Sequence, residues 1–110
     1  MKTGQNERIR KADHKKVVFD VELDEIEDLT RVDTIYWYLD TTYTDNKTLQ
    51  ADNPIIEKEK EDMKVEQESI EFDLYSGETS IDTGRYYHEL RIKDDLDNIS
   101  TLARGRITIY

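Results

Sequence analysis

The chain has 110 residues, 35% hydrophobic and 38% charged, with 16 Lys plus Arg against 26 Asp plus Glu and a formal charge of −10. That length fits one domain and leaves no room for a second with its own core. The absence of cysteine excludes a disulfide scaffold, a thiol nucleophile and a thiolate metal site, and no apolar run reaches the length of a membrane helix or of a signal core.

Charge divides the chain near its start. Residues 1–16 carry six basic and two acidic side chains, a net of +4, whereas the rest carries 10 basic and 24 acidic, a net of −14. This division predicts a basic N-terminal arm over residues 1–14 and a folded domain over 15–110, with Arg8, Arg10 and Lys11 as the arm's contacts to an acidic neighbour. An acidic body repels phosphate over most of its surface, so nucleic acid is not an expected partner. Seven tyrosines are too many for a disordered chain of this charge.

Beyond the arm, apolar residues recur with the period of two that marks strands. In chain order the runs are Lys16–Leu23 (Val17, Phe19 and Val21 inward), Asp33–Asp40 (Ile35, Trp37 and Leu39 inward) and Ser69–Tyr75 (Ile70, Phe72 and Leu74 inward). Tyr86–Lys93 places Tyr86, His88, Leu90 and Ile92 inward, and Ile99–Tyr110 ends on Ile107 and Ile109 after Gly105. A glycine inside a strand predicts a bulge or a close backbone approach. Turn-forming clusters separate the runs at Asp40–Asn46, Ala51–Pro54, Ser76–Gly77, Asp82–Gly84 and Asp94–Asn98. The charged segment Glu57–Glu68 has no 3.6-residue apolar stripe, which leaves a helix nothing to bury, so it reads as two exposed edge strands joined near Glu61-Asp62.

Asp82-Thr83-Gly84-Arg85-Tyr86 is the most informative pentapeptide. An Asp-x-Gly-x-Tyr turn leading into a strand makes the tyrosine corner of immunoglobulin-like sandwiches, in which the Tyr hydroxyl bonds backbone just upstream. His88 stands where an antibody domain places its second Cys, and Trp37 is mid-strand, as the buried aromatic of strand C would be. The expected fold is therefore an all-β, immunoglobulin-like antiparallel sandwich of about seven strands. Its core is expected around Phe19, Trp37, Phe72, Leu90 and Ile107, pinned by packing alone.

Two adjoining stretches carry a family resemblance. Tyr86-Tyr87-His88-Glu89-Leu90-Arg91-Ile92 and Ser100-Thr101-Leu102-Ala103-Arg104-Gly105-Arg106-Ile107-Thr108-Ile109, joined by the acidic turn Asp94-Asp95-Leu96-Asp97-Asn98, resemble the C-terminal hairpin of small immunoglobulin-like virion proteins of tailed phages. The N-terminal domain of baseplate upper proteins is the best-known example. Asp28-Leu29-Thr30 is similar to the "D-L-T-G-A" entry into an early strand of that family, with Arg31-Val32 in place of Gly-Ala. Thr3–Asn6 lead into a basic stretch where relatives begin with a short charged strand; residues 41–68 match no pattern of the family. The resemblance implies a virion location and a structural role in a tail, baseplate, neck or head-decoration protein. It also implies other virion proteins or further copies of the chain as partners, in a ring or lattice, and no catalytic residues.

The residues themselves offer little for catalysis. There are two His, and no G-x-S-x-G elbow or Gly-rich phosphate loop. His14 reads as solvated and His88 as a hydrogen-bonded core histidine. No catalytic, cofactor-binding or metal-binding residue is assigned; Asp94-Asp95-Leu96-Asp97-Asn98 offers oxygen donors for Ca²⁺ but lacks the EF-hand spacing and reads as an acidic hairpin turn. Outward Tyr36 and Tyr38, with Tyr87 and Tyr43, are candidate partner contacts. They serve either a subunit interface or, in the alternative reading, a platform for a sugar ring or a cell-surface ligand.

Overall fold

The computed structural model describes residues 4–21, 28–40, 55–94 and 96–110. The turn clusters at 41–46 and 51–54, Tyr43, Asp95, the end of the first predicted strand at 22–23 and residues 1–3 lie outside the described residues.

Among the described residues, eight strands form two facing sheets. They are β1 (Glu7–Ile9), β2 (Lys15–Asp20), β3 (Thr34–Asp40), β4 (Ile56–Glu59), β5 (Lys64–Val65), β6 (Ser69–Leu74), β7 (Gly84–Lys93) and β8 (Ile99–Ile109). One sheet has the order β1-β8-β7-β3-β4 and the other β2-β6-β5. All pairings are antiparallel except β1 on β8, which is parallel. The architecture is the expected immunoglobulin-like sandwich.

Alternation sets the inward faces of β2, β3, β6 and β7, whereas in β8 a register shift puts Thr101 and Ile99 opposite Arg91 and Lys93. The inward set Val17, Phe19, Ile35, Trp37, Leu39, Ile70, Phe72, Leu74, Leu90 and Ile107 forms one cluster, and the five predicted core residues are all buried within it. Trp37 and Phe72 meet across the two sheets with ring centroids 4.8 Å apart, and Phe19 and Phe72 lie 6.0 Å apart. Such aromatic pairs add directional attraction to the apolar area they bury.

Glu57–Glu68 divides as its pattern predicts. A 3-10 turn at Lys60–Asp62 carries the chain from β4, an edge of the larger sheet, to β5, an edge of the smaller one. The Lys60 ammonium holds this crossing to the entry of β3 by donating to the Val32 carbonyl at 2.6 Å.

The arm expected over residues 1–14 is overturned. Residues 7–9 pair with Ile107–Ile109 as β1, Ile9 is buried in the core, and Gln5 donates its amide to the Arg104 carbonyl at 3.1 Å. Ile9, set between Arg8 and Arg10, was too short a pattern to outweigh the local charge, although the resemblance to a charged first strand pointed to it. The connection from β1 to β2 turns at Ala12, whose φ is +68°. The sandwich therefore begins before residue 14.

Gly105 marks where β1's approach meets the sheet. A side-chain carbon there would collide with the Gln5 backbone carbonyl, so only glycine fits. The bulge itself sits elsewhere: Leu90 pairs with Ala103 but Arg91 with Thr101, which leaves Leu102 as the extra residue of β8.

Candidate functional site

The tyrosine corner forms as its residues predict. Gly84 has a φ of +153°, which side-chain-bearing residues rarely adopt, and it opens β7. The buried Tyr86 then donates its hydroxyl to the Asp82 carbonyl at 2.6 Å. This bond fastens the turn to the strand that follows it.

Beneath the corner, a hydrogen-bonded histidine takes the place of a disulfide. Trp37 Nε1 donates to His88 Nδ1 at 3.0 Å, and His88 Nε2 lies 2.5 Å from the Gln5 carbonyl oxygen. An indole N–H can only donate and a carbonyl can only accept. The two bonds together therefore require a neutral imidazole with its proton on Nε2. The ring is fully buried, and Phe19 of β2 stands 5.8 Å from it. Strands β2, β3, β7 and the N-terminal segment thus meet at one side chain. Burial lowers the His88 pKa below its ordinary value, the Gln5 carbonyl and the charges of Glu7 and Glu89 opposing the shift.

His14 is exposed, as its place in a basic stretch predicts, and its Nε2 lies 2.8 Å from Asp73 Oδ1 on β6. Asp94 bonds the residues that follow it. The Asp94 carboxylate accepts from the Leu96 amide at 2.9 Å, the Asn98 amide at 2.8 Å and the Asn98 side chain at 3.2 Å, and these bonds hold it below the usual carboxylate range. No cluster of metal-binding side chains exists among the described residues.

Of the predicted contact tyrosines, one changes role. Tyr38 points to the outer face of the larger sheet as expected, but it is only 7% exposed and donates its hydroxyl to Glu89 Oε2 at 2.9 Å. Burial, followed by the hydrogen bond to Glu89 and its charge, pushes the phenol's pKa well above its usual value. Tyr38 is thus a support and not an exposed contact; Tyr36, half-buried, keeps a place at the surface.

The support belongs to an ionic group that strand alternation alone could not reveal. Arg91 Nη2 lies 2.6 Å and Nε 2.8 Å from Glu89 Oε2, Arg104 Nη2 lies 3.6 Å from Glu89 Oε1, and the Arg91 guanidinium sits 5.2 Å from the Tyr38 ring centre. Glu89 and Arg91 are 4% and 2% exposed. The sequence signal was an alternation of opposite charges at 89, 91 and 104 opposite a tyrosine. It reads equally well as a solvated face, and only the register distinguishes the two.

Beside this group, a groove of about 370 Å³ runs along β3 and β4, lined among others by Tyr36, Tyr38, Glu57, Glu59, Glu61 and Lys93. Along β4 and the turn after it, Glu57, Glu59, Glu61 and Asp62 are exposed, whereas Lys58 is buried and bound to Glu78 at 2.7 Å. Repulsion from Glu61, and then a hydrogen bond with it, raises the Glu59 pKa. At the opposite end of the same sheet, Arg8, Arg10 and Lys11 are exposed, and the Arg8 guanidinium lies 4.7 Å from the centre of the Tyr110 ring.

No protein-family model and no curated protein matches this chain in sequence. Among solved structures it is similar to the fibronectin(III)-like modules of CbhA from Clostridium thermocellum, with a TM-score of 0.51 and 12% identity over 96% of this chain and 87% of that one. At that identity the likeness speaks for the fold alone, and the fold is an all-β sandwich of the immunoglobulin type.

Proposed function

We propose that the chain is a non-enzymatic binding module that works by assembly: a rigid sandwich whose strand edges and charged rims engage other proteins in a tailed-virus particle. The observation that carries the assembly reading is the contrast between an interior latched at His88 and Tyr86 and, among the described residues, open edges of opposite charge at the two ends of one sheet. Such a block keeps its shape while its rims are engaged, and a net charge of −10 holds free copies apart until a complementary surface is met. The virion setting rests on the resemblance of the hairpin Tyr86–Ile109. Tail, baseplate, neck and head-decoration positions are equally compatible with it. The test follows an epitope-tagged chain through gradient purification of particles: co-sedimentation at fixed stoichiometry is expected, and its exclusive recovery at the top of the gradient rejects the role.

The groove favours a second reading, a module for a sugar or another cell-surface ligand. Tyr36 offers a ring and Glu57 and Glu59 offer acceptors for hydroxyl groups. Glycan-array binding that is lost in Tyr36→Ala supports this alternative, and a blank array rejects the sugar.

A further inference from the structure

Among the described residues, the larger sheet ends in β1 on one side and β4 on the other, and each of these strands pairs with a neighbouring strand on one side only. An unpaired strand edge is a template for another strand. The two edges differ in length by one residue, three in β1 and four in β4. They are opposite in charge. From β4 through the turn after it, the exposed charges are all carboxylates, those of Glu57, Glu59, Glu61 and Asp62. Its lysines are withdrawn, Lys58 to Glu78 and Lys60 to the Thr30 and Val32 carbonyls. From β1 to Lys11 the exposed charges are the cations Arg8, Arg10 and Lys11, and Glu7, half-buried, is tied to Lys15 at 3.6 Å.

We infer that the acidic β4 edge of one copy receives the basic β1 edge of another, so that copies join head to tail through a continuous sheet. The occupant is a second copy of this chain. Charge complementarity selects it, and the acidic remainder of the molecule disfavours contact through any other face. The groove beside β4, with Tyr36 in its lining, leaves room for arginine side chains of the arriving strand. An incoming cation also relieves the mutual repulsion of Glu59 and Glu61. Because β1 and β4 are different surfaces, the contact is heterologous, and repetition yields a ring where the rotation closes and a filament where it does not. This inference rests on the assembly role proposed above and gives that role a partner.

The experiment is sedimentation velocity on the purified chain over a concentration series, at low and at high salt, with two charge-reversed variants. Variant one is Glu57→Lys/Glu59→Lys/Glu61→Lys, and variant two is Arg8→Glu/Arg10→Glu/Lys11→Glu. All six positions are exposed, and circular dichroism with a thermal melt verifies that each variant folds. The wild type is expected to self-associate at low salt and to dissociate at high salt. Each variant alone is expected to associate at least about tenfold more weakly. An equimolar mixture of the two variants is expected to regain association, because each reversed edge then meets an edge of opposite sign. A wild type that stays monomeric throughout, or variants that associate as the wild type does, overturns the contact. Co-sedimentation of tagged chain with particles is read separately, so loss of this contact and loss of the assembly role are distinguishable.

Discussion

At the scale of single residues, this sandwich depends on side chains that do work usually given to a disulfide. The Tyr86 hydroxyl and the Asp82 carbonyl form one such fastening. Tyr86→Phe keeps the ring and deletes the bond, and is expected to cost about 1 kcal/mol, read as a lower urea midpoint at unchanged slope. His88 makes a sharper prediction. Its neutral form is required by the bond that Nδ1 accepts from Trp37, and its folded pKa is lowered from 6.5. The unfolded chain therefore takes up a proton near pH 6.5 that the folded chain resists. The contribution of His88 is complete above that pH and is lost as pH falls below it, at up to about 1.4 kcal/mol per pH unit. Urea titrations at pH 7.5 and 5.5 are expected to show this loss in the wild type and a flatter response in His88→Gln, whose amide offers a donor and an acceptor without a charge. Equal slopes in the two proteins reject the assignment.

The elements themselves are set by alternation, and the interesting departures come where two elements compete for one space. Gly105 is the case in point, since Gln5 lies against it on the way to β1. Gly105→Ala is expected to push the N-terminal segment off β8, break the Gln5 bonds to Arg104 and His88, and destabilise the fold by about 1–3 kcal/mol. Hydrogen exchange reads the same event locally. The Tyr110 amide, which donates to the Ile9 carbonyl at 3.0 Å, is expected to lose protection while amides of β6 keep theirs. The period-two pattern made β2, β3, β6, β7 and β8 legible, and the lack of a helical stripe did the same for β4 and β5. β1 escaped because three residues with one apolar side chain give no period to read.

For the whole molecule, the two sheets share one core, and Trp37 sits at its centre in contact with Phe72 of the opposite sheet. Neither sheet can keep an apolar face alone in water, so unfolding is expected to be a single transition. Trp37 fluorescence and far-ultraviolet circular dichroism are expected to share one urea midpoint. Phe72→Ala is expected to lower that midpoint by the equivalent of about 3–5 kcal/mol with both probes still coincident. Divergent midpoints indicate sheets that open separately.

Periodicity, composition and one turn motif determined the fold by themselves. They gave the strands, the inward faces and the corner at Tyr86, because alternation and the conformation demanded of Gly84 are local properties of the chain. They also implied the His88 core position, since a histidine on an inward face needs partners. Tertiary structure alone decided the rest. It brought Gln5 to His88 across 83 positions, hid Tyr38 and Arg91 around Glu89 on a face that looked solvated, and set a basic and an acidic edge at opposite ends of one sheet. These facts depend on which strands become neighbours and in what register, and that is fixed by packing across the whole core, which no local pattern contains.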